Sequence, residues 1–348
     1  MSESLESPVI SPSELTTWLD RNQVGEGDIS EIVPVSGGTQ NLMYAFSRGG
    51  RSFVLRRGPE NPRPQSDSVI CREMRLLNAL NGTGVKHPEF VWGTETGNEV
   101  CPSPFYVMEL VTGYNAAEEL PAAVVDDASY RHRMGISLVE SLADLACVDF
   151  RRIGLGNFGK PEGFLDRQVP RWFSELEKYE ALPGYSPFRR RDFHEIGSWL
   201  ETRTPSSNPV GVIHGDYHLA NVMFRFDAPE IAAIVDWEMA TIGDPLMDLG
   251  WLLAMWPMTD GEPDLLGSAL SKCGGLPTRD ELVDAYVSRS GIAVDDIDWY
   301  FTMGCFKAGI VLEGTYARAC AGQANTDVGE RLHVMSLALR DRALNRIS

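Results

Sequence analysis

The chain has 348 residues, enough to bury one large core or two, and 43% of them are hydrophobic, the share of an ordinary soluble protein. Lys and Arg number 31 against 49 Asp and Glu, a formal net charge of −18 that argues against nucleic acid or an anionic membrane as the main partner. The same balance suits a cationic ligand, or simply a solvated acidic surface that aids solubility.

Six cysteines (Cys71, Cys101, Cys147, Cys273, Cys305 and Cys320) are scattered without a C-x-x-C pair, so a zinc ribbon or a dense disulfide framework is not expected and a reducing compartment fits. The opening MSESLESPVI is acidic and lacks the basic end and apolar core of a signal peptide. No uncharged apolar run reaches the ~18 to 20 residues of a spanning helix, so the expectation is a cytoplasmic protein with no membrane partner.

In chain order, Ser11-Pro12-Ser13-Glu14 reads as a helix start: Ser11 caps, Pro12 fits the first turn and Glu14 reaches back to the cap. That helix is expected to run through Leu15, Trp18 and Leu19 and to fade near Gly25. Strands follow at 31–35, 42–47 and 52–56, with Arg48-Gly49-Gly50 as a turn. Between the first two, Ser36-Gly37-Gly38-Thr39-Gln40-Asn41 has glycines that let the backbone approach a phosphate, although a Gly-Gly hairpin turn fits the same residues. Helical spacing of Val69, Met74, Leu76, Leu77 and Leu80 predicts a helix, with Ser66-Asp67-Ser68 as caps and Gly82 and Gly84 as its stop. Three β-rich segments come next, at 90–92, 99–101 and 105–110. Beyond them, apolar stripes predict helices over 122–147, 168–179, around Phe193 to Leu200, and over 249–255, 280–288 and 296–312.

The stretch 210–253 is the most informative. Gly211-Val212-Ile213 leads into His214-Gly215-Asp216, and Ile231 to Val235 leads into Asp236-Trp237-Glu238, so each reads as a short buried strand that ends in acid. Segments 222–226 and 231–235 flank the turn sequence Asp227-Ala228-Pro229-Glu230 and are expected to pair as a hairpin, bringing Asn221 close to Asp236 with Asp216 in the loop just before. Two carboxylates and an amide make an oxygen-rich set. Mg²⁺ suits Asp236 and Asn221, which leaves Asp216 to orient a hydroxyl and accept its proton.

The run H-G-D-x-x-x-x-N, followed fifteen residues later by D-W-E, resembles the catalytic segment of the aminoglycoside phosphotransferase and choline kinase group, relatives of protein kinases. Gly243-Asp244-Pro245-Leu246-Met247-Asp248-Leu249 is similar to the branch that includes kinase-like domains fused to acyl-CoA dehydrogenases. Arg167, Arg171 and Trp172 resemble that branch too, as does Glu313-Gly314-Thr315-Tyr316-Ala317-Arg318.

The resemblance implies an α+β, protein-kinase-like two-lobed fold with a small β-rich N-lobe and a larger helical C-lobe. Its parts would be a helical extension over 1–27, an N-lobe over 28–110 and a C-lobe over 111–348. It implies ATP and Mg²⁺ as cofactors and phosphate transfer to a hydroxyl of a small molecule: aminoglycoside-like, an amino alcohol or hydroxyacyl. Asp216 would be the base, with Asn221 and Asp236 on the metal. Gly37, Gly38 and Thr39 would cover the nucleotide, and the backbone at Glu109 and Leu110 would bind adenine. Arg56, or else Arg57, stands where the group carries a phosphate-anchoring lysine, since no lysine precedes Lys86; Glu73 would pair with it. Asp248 would bond the catalytic-loop backbone. His214, His218, Glu238 and Arg318 would support the loop or face substrate.

Two other readings use the same residues. A kinase-like nucleotide-binding module with weak catalysis is favoured by the missing lysine. A metal-dependent hydrolase requires an extended segment whose alternation points His214, Asp216 and His218 to one side.

Overall fold

Ser11 starts the first helix, α1 (Pro12–Arg21), its Oγ accepting the Glu14 N–H at 3.4 Å. In this computed structural model the described residues are 10–35, 41–59, 64–186, 190–206 and 209–348. They divide into two units. One runs to Thr112 and includes Ala232–Glu238; the other comprises Gly113–Ile231 and Met239–Ser348.

The first unit is built on five antiparallel strands: β1 (Val33–Pro34), β2 (Leu42–Arg48), β3 (Arg51–Arg57), β4 (Phe90–Thr94) and β5 (Phe105–Glu109), in the order β1-β2-β3-β5-β4. Gly49 and Gly50, both at positive φ, make the tight turn that sets Arg48 opposite Arg51. α1 lends Leu15, Trp18 and Leu19 to the same apolar cluster as Phe46, Phe53, Leu55 and Phe105, and the Trp18 ring lies 4.9 Å from that of Phe105. One helix, α2 (Ser66–Leu80), joins β3 to β4.

Two details of this unit differ from expectation. The cap of α2 is Gln65, without a side-chain bond, because the Ser68 hydroxyl turns back to the Gln65 carbonyl. Segment 99–101 is not a strand, because the Asn98 carboxamide accepts the Val100 and Cys101 N–H groups and so diverts the backbone into a turn.

The second unit is mainly helical. Its helices are α3 (Ala122–Val125), α4 (Ala128–Ala146), α5 (Gln168–Glu180), α6 (Arg190–Thr202), α7 (Leu246–Met255), α8 (Ala269–Lys272), α9 (Arg279–Ser290), α10 (Ile297–Cys320) and α11 (Thr326–Ile347). The expected helix over 122–147 breaks where extended Asp127 accepts the Tyr130 N–H and caps α4. The second unit also holds the strands β6 (Gly211–Ile213), β7 (Val222–Phe224) and β9 (Thr241–Gly243), whereas β8 (Ile231–Ile234) belongs to the first unit from Ala232 on. β6 pairs with β9, Ile213 opposite Thr241. The Arg225 N–H donates to the Glu230 carbonyl at 3.0 Å and closes the turn between β7 and β8.

Every residue of α7 is buried, and α10 packs along both α7 and α11. Glycine makes the first of these approaches possible. A Cβ on Gly304 would lie 2.4 Å from the Gly250 carbonyl oxygen, and one on Gly250 would lie 2.1 Å from that of Tyr300. The composition, a small antiparallel sheet with a helical remainder, is the α+β class expected. No helix among the described residues is long and apolar enough to cross a membrane.

The α7–α10 contact is backbone against backbone, so neither side can yield by rotating a side chain. Gly304→Ala is expected to lower the unfolding free energy by about 1–3 kcal/mol, read from the urea midpoint; an unchanged midpoint would show that this approach carries no packing constraint.

Candidate active site

Strand β6 ends at Ile213, and the next two N–H groups have no strand partner. Asp248, in the first turn of α7 and 1% exposed, accepts both: His214 N–H at 2.6 Å and Gly215 N–H at 2.8 Å. Its neighbour in the motif, fully buried Asp244, accepts the Leu246 N–H at 2.9 Å and the Tyr300 hydroxyl at 2.6 Å, which ties the start of α7 to α10. Gly215 adopts φ +90°, and a Cβ there would lie 2.6 Å from the Met239 carbonyl oxygen. The loop therefore turns sharply at the one residue that permits it.

The turn delivers Asp216. His214 Nδ1 accepts its N–H at 3.3 Å, and Asn221 Nδ2 donates both to its carbonyl at 2.9 Å and to its Oδ2 at 3.0 Å. His218 caps the short turn Leu219–Asn221, its Nδ1 accepting the Ala220 N–H at 3.2 Å. Its Nε2 faces Asp216 Oδ1 at 3.2 Å. Tyr217, fully buried, anchors the segment through its hydroxyl to the Leu138 carbonyl at 2.8 Å.

Burial by itself would raise the Asp216 pKa. The His218 ring, with further contributions from His214 and Lys307, overrides it and holds the carboxyl well below the usual carboxylate range. With 30% of its side chain exposed, Asp216 is ionised and open to a ligand.

The second set of candidate side chains lies in the first unit. Arg56 on β3 is 8% exposed and donates to Glu73 Oε1 on α2 at 2.9 Å and to Asp236 Oδ1, after β8, at 3.1 Å. Asp236 sits at φ +64°, a conformation uncommon outside glycine, and 42% of its side chain is exposed. Burial pushes Glu73 up to about 7 even with Arg56 beside it, and Asp236 and Glu238 add to the rise. Arg56 moves the other way: burial would lower it, but Glu73, Tyr106 and Asp236 hold it above its usual value.

The remaining expected residues that the structure describes make local bonds. Arg57 donates to the Gly58 carbonyl at 3.3 Å. Glu109 is ion-paired with Arg51, and its N–H and that of Leu110 donate to the Glu89 and Ser52 carbonyls, leaving only carbonyl oxygens there for a base. Arg318 donates within its own helix, to Thr315 Oγ1 at 2.9 Å. Gly37, Gly38 and Thr39 lie outside the described residues. The alternation required for a His214, Asp216 and His218 metal trio does not exist, because β6 stops at Ile213 and Gly215 reverses the chain. Among the described residues no group of three His, Cys, Asp or Glu could hold a metal ion.

Sequence reasoning missed Lys307. Its ammonium donates to the Gly215 carbonyl, and it is the one charged side chain in the apolar stretch 299–312 of α10. That isolation was the available signal.

The profile of the phosphotransferase enzyme family matches residues 31–282. The chain belongs to this family. Among curated proteins similar to this phosphotransferase-family chain, acyl-CoA dehydrogenase family member 11 of Rattus norvegicus is 28% identical over 324 residues, 90% of the chain and 40% of that protein. The chain spans between 28% and 42% of the length of the curated relatives it matches. Among solved structures, a Ralstonia eutropha protein assigned as an aminoglycoside phosphotransferase superposes with a TM-score of 0.80 at 25% identity, over 96% of this chain and 98% of that one. Aminoglycoside 2'-phosphotransferase-IIIa, solved with GDP, gives 0.64 at 16% identity over 95% and 99%. The fold is thus the protein-kinase-like fold of these phosphotransferases.

The Arg56–Glu73 pair yields a pH prediction. An unfolded glutamate ionises near pH 4.3. Folded Glu73 holds its proton to about pH 7, so folding loses stability as pH rises between these values. In Arg56→Met the proton is held to still higher pH, so the loss continues where the parent levels off. The stability gap between the two proteins is expected to widen above about pH 7, by up to about 1.4 kcal/mol per pH unit. Urea titrations at pH 6, 7 and 8.5 read it, and a constant gap would contradict the pairing.

Proposed function

We propose that this protein transfers the γ-phosphoryl group of ATP, with Mg²⁺, to a hydroxyl of a small molecule. The carrying observation is an ionised, accessible Asp216, bonded by Asn221, faced by His218 and set on a turn that Asp248 fixes. Asp216 orients the acceptor hydroxyl and takes its proton late, because the transition state of phosphoryl transfer is loose and a weak base suffices.

The Asn221 Nδ2 contacts go to Asp216, twice, and to His218 Nε2 at 3.4 Å, which leaves Oδ1, the atom a hard cation needs, to face elsewhere. Asp236 offers a half-exposed carboxylate. Each is an oxygen donor of the kind Mg²⁺ takes, and Asn221 and Asp236 are its proposed ligands. Bound there, the ion would neutralise charge on the phosphates. Arg56 steadies the phosphates, and Glu73 fixes its direction. A guanidinium grips phosphate as a fork where a lysine offers a point charge, so Arg56 can serve the role with a different geometry. The Gly37, Gly38 and Thr39 loop covers the nucleotide in this reading, and Glu109 and Leu110 offer the adenine their carbonyls.

The acceptor is a small alcohol. The names of the curated relatives favour a hydroxyacyl compound, and those of the solved neighbours an aminoglycoside. A catalytically weak nucleotide-binding module is the second reading, and Arg56 in place of lysine is what favours it. The six cysteines, all unpaired, support a cytoplasmic location.

The test incubates the protein with Mg²⁺-ATP and aminoglycosides, amino alcohols, sugars and hydroxyacyl thioesters, with ³¹P NMR following ADP and a new phosphomonoester. Asp216→Asn is expected to bind ATP within about threefold of the parent and to lose transfer by about 10²- to 10⁴-fold. Unchanged turnover in that variant would refute the assigned base, and nucleotide binding with no transfer to any acceptor by the parent would leave the second reading.

A further inference from the structure

Of the five lysines, Lys86, Lys160, Lys178 and Lys272 are exposed and Lys307 alone is buried. Its ammonium donates to the carbonyl of Gly215, the residue directly before the proposed base. The same nitrogen lies 4.4 Å from the ring centre of Trp251 on α7 and 5.7 Å from that of Trp172 on α5. Aromatic faces attract a desolvated cation, but an uncharged side chain would fill a space between two indoles without the cost of burying an ammonium. The charge therefore calls for an explanation beyond packing.

The Gly215 peptide groups supply one. Asp248 holds the Gly215 N–H at 2.8 Å and Lys307 holds its carbonyl, so the residue is gripped from both sides at φ +90°. The plane of the Gly215–Asp216 peptide sets the direction in which Asp216 leaves the backbone. A charge-assisted bond is roughly twice as strong as a neutral one, so a protonated Lys307 fixes that plane better than a neutral amine. We propose that Lys307, as a cation, is a positioning residue for phosphoryl transfer: it locks the Gly215–Asp216 peptide and so aims the Asp216 carboxylate at the acceptor hydroxyl. This inference rests on the kinase reading given above.

The surroundings set the pH range. Burial drives Lys307 down to about 8, Asp248 and Asp216 oppose the fall, and exposed Arg171, stacked 5.2 Å over Trp172, adds to it. His214 borders the same two carboxylates. Lys307 is thus cationic below about pH 8 and loses its charge above it.

The experiment uses the full chain and has two arms. In the first, kcat for the best acceptor is followed from pH 6 to 10. The parent is expected to lose about tenfold per pH unit above about pH 8, with the nucleotide KM within about twofold. Lys307→Arg keeps its charge and should lack this alkaline limb. Lys307→Met should lose about 10- to 100-fold in kcat at pH 7, as a misaimed base does, with nucleotide KM unchanged. In the second arm, lysine is labelled at ¹³Cε. One signal should titrate at about 8 and be absent from Lys307→Met.

A parental kcat in Lys307→Met, or an alkaline limb shared by the parent and Lys307→Arg, overturns the proposal. Should Lys307→Met fail to fold, the parent and Lys307→Arg profiles decide between the same outcomes. The labelling arm needs no acceptor. A Lys307 signal that already reports the neutral amine at pH 7 would sink the charged role of Lys307 and leave the kinase reading standing. One lysine at pH 8 in a protein that phosphorylates nothing would sink the kinase reading, and the proposed role in transfer with it.

Discussion

A single buried carboxylate decides the shape of the loop that carries Asp216. Asp248 takes the two N–H groups that β6 leaves behind when it ends at Ile213, and it does so at 2.6 and 2.8 Å from inside the apolar helix α7. Burial drives the Asp248 pKa up, and His214, Lys307 and the two accepted N–H groups work against that rise. Were the carboxylate absent, two buried backbone donors would be orphaned, at a cost of about 1–3 kcal/mol each. With it present, Gly215 is held in its left-handed turn against the Met239 carbonyl, and Asp216 follows in a fixed direction. The helix that carries Asp248 is itself placed by glycine-to-backbone contact with α10, so core packing and the orientation of the proposed base form one chain of causes.

The first unit solves a different electrostatic problem. It buries an arginine, and a buried guanidinium is tolerable only with anions around it. Arg56 has two, Glu73 deep in the unit and Asp236 at its more exposed side. The deeper acid is driven toward neutrality by the same burial, so the pair is least stable where Glu73 must ionise. An arginine at this position keeps its charge in every state, whereas a lysine so deeply buried would be pushed toward the neutral amine. On the proposed reading, in which Arg56 anchors phosphate, this is a physical reason for an arginine to serve there.

Much of this was legible in the sequence because it is local. The cap at Ser11, the glycine turn at Gly49 and Gly50, and the spacing from Asp216 to Asn221 each involve partners within five residues. Local competition also produced the misreadings: Asn98 folds its own downstream backbone into a turn where apolar residues suggested a strand, and Asp127 splits an apolar stripe by capping in its middle. The role of Lys307 was hidden for the opposite reason, although its isolation in an apolar stretch was visible. Lys307 reaches a carbonyl 92 residues away and two indoles on other helices, and no spacing rule connects them. Likewise, an apolar strand such as β5 does not reveal that the N–H of Glu109 is already taken by the Glu89 carbonyl.

The claim on which the rest stands is that Asp248 fixes the His214–Gly215 turn, and amide hydrogen exchange at those two residues tests it most directly. In the parent, both amides should exchange only through global unfolding, as slowly as the core of α7. In Asp248→Asn they should exchange at least about tenfold faster than neighbouring α7 amides, as a lost buried bond of about 1.4 kcal/mol or more requires. Rapid exchange of His214 and Gly215 in the parent, or equal protection in the variant, would contradict the account.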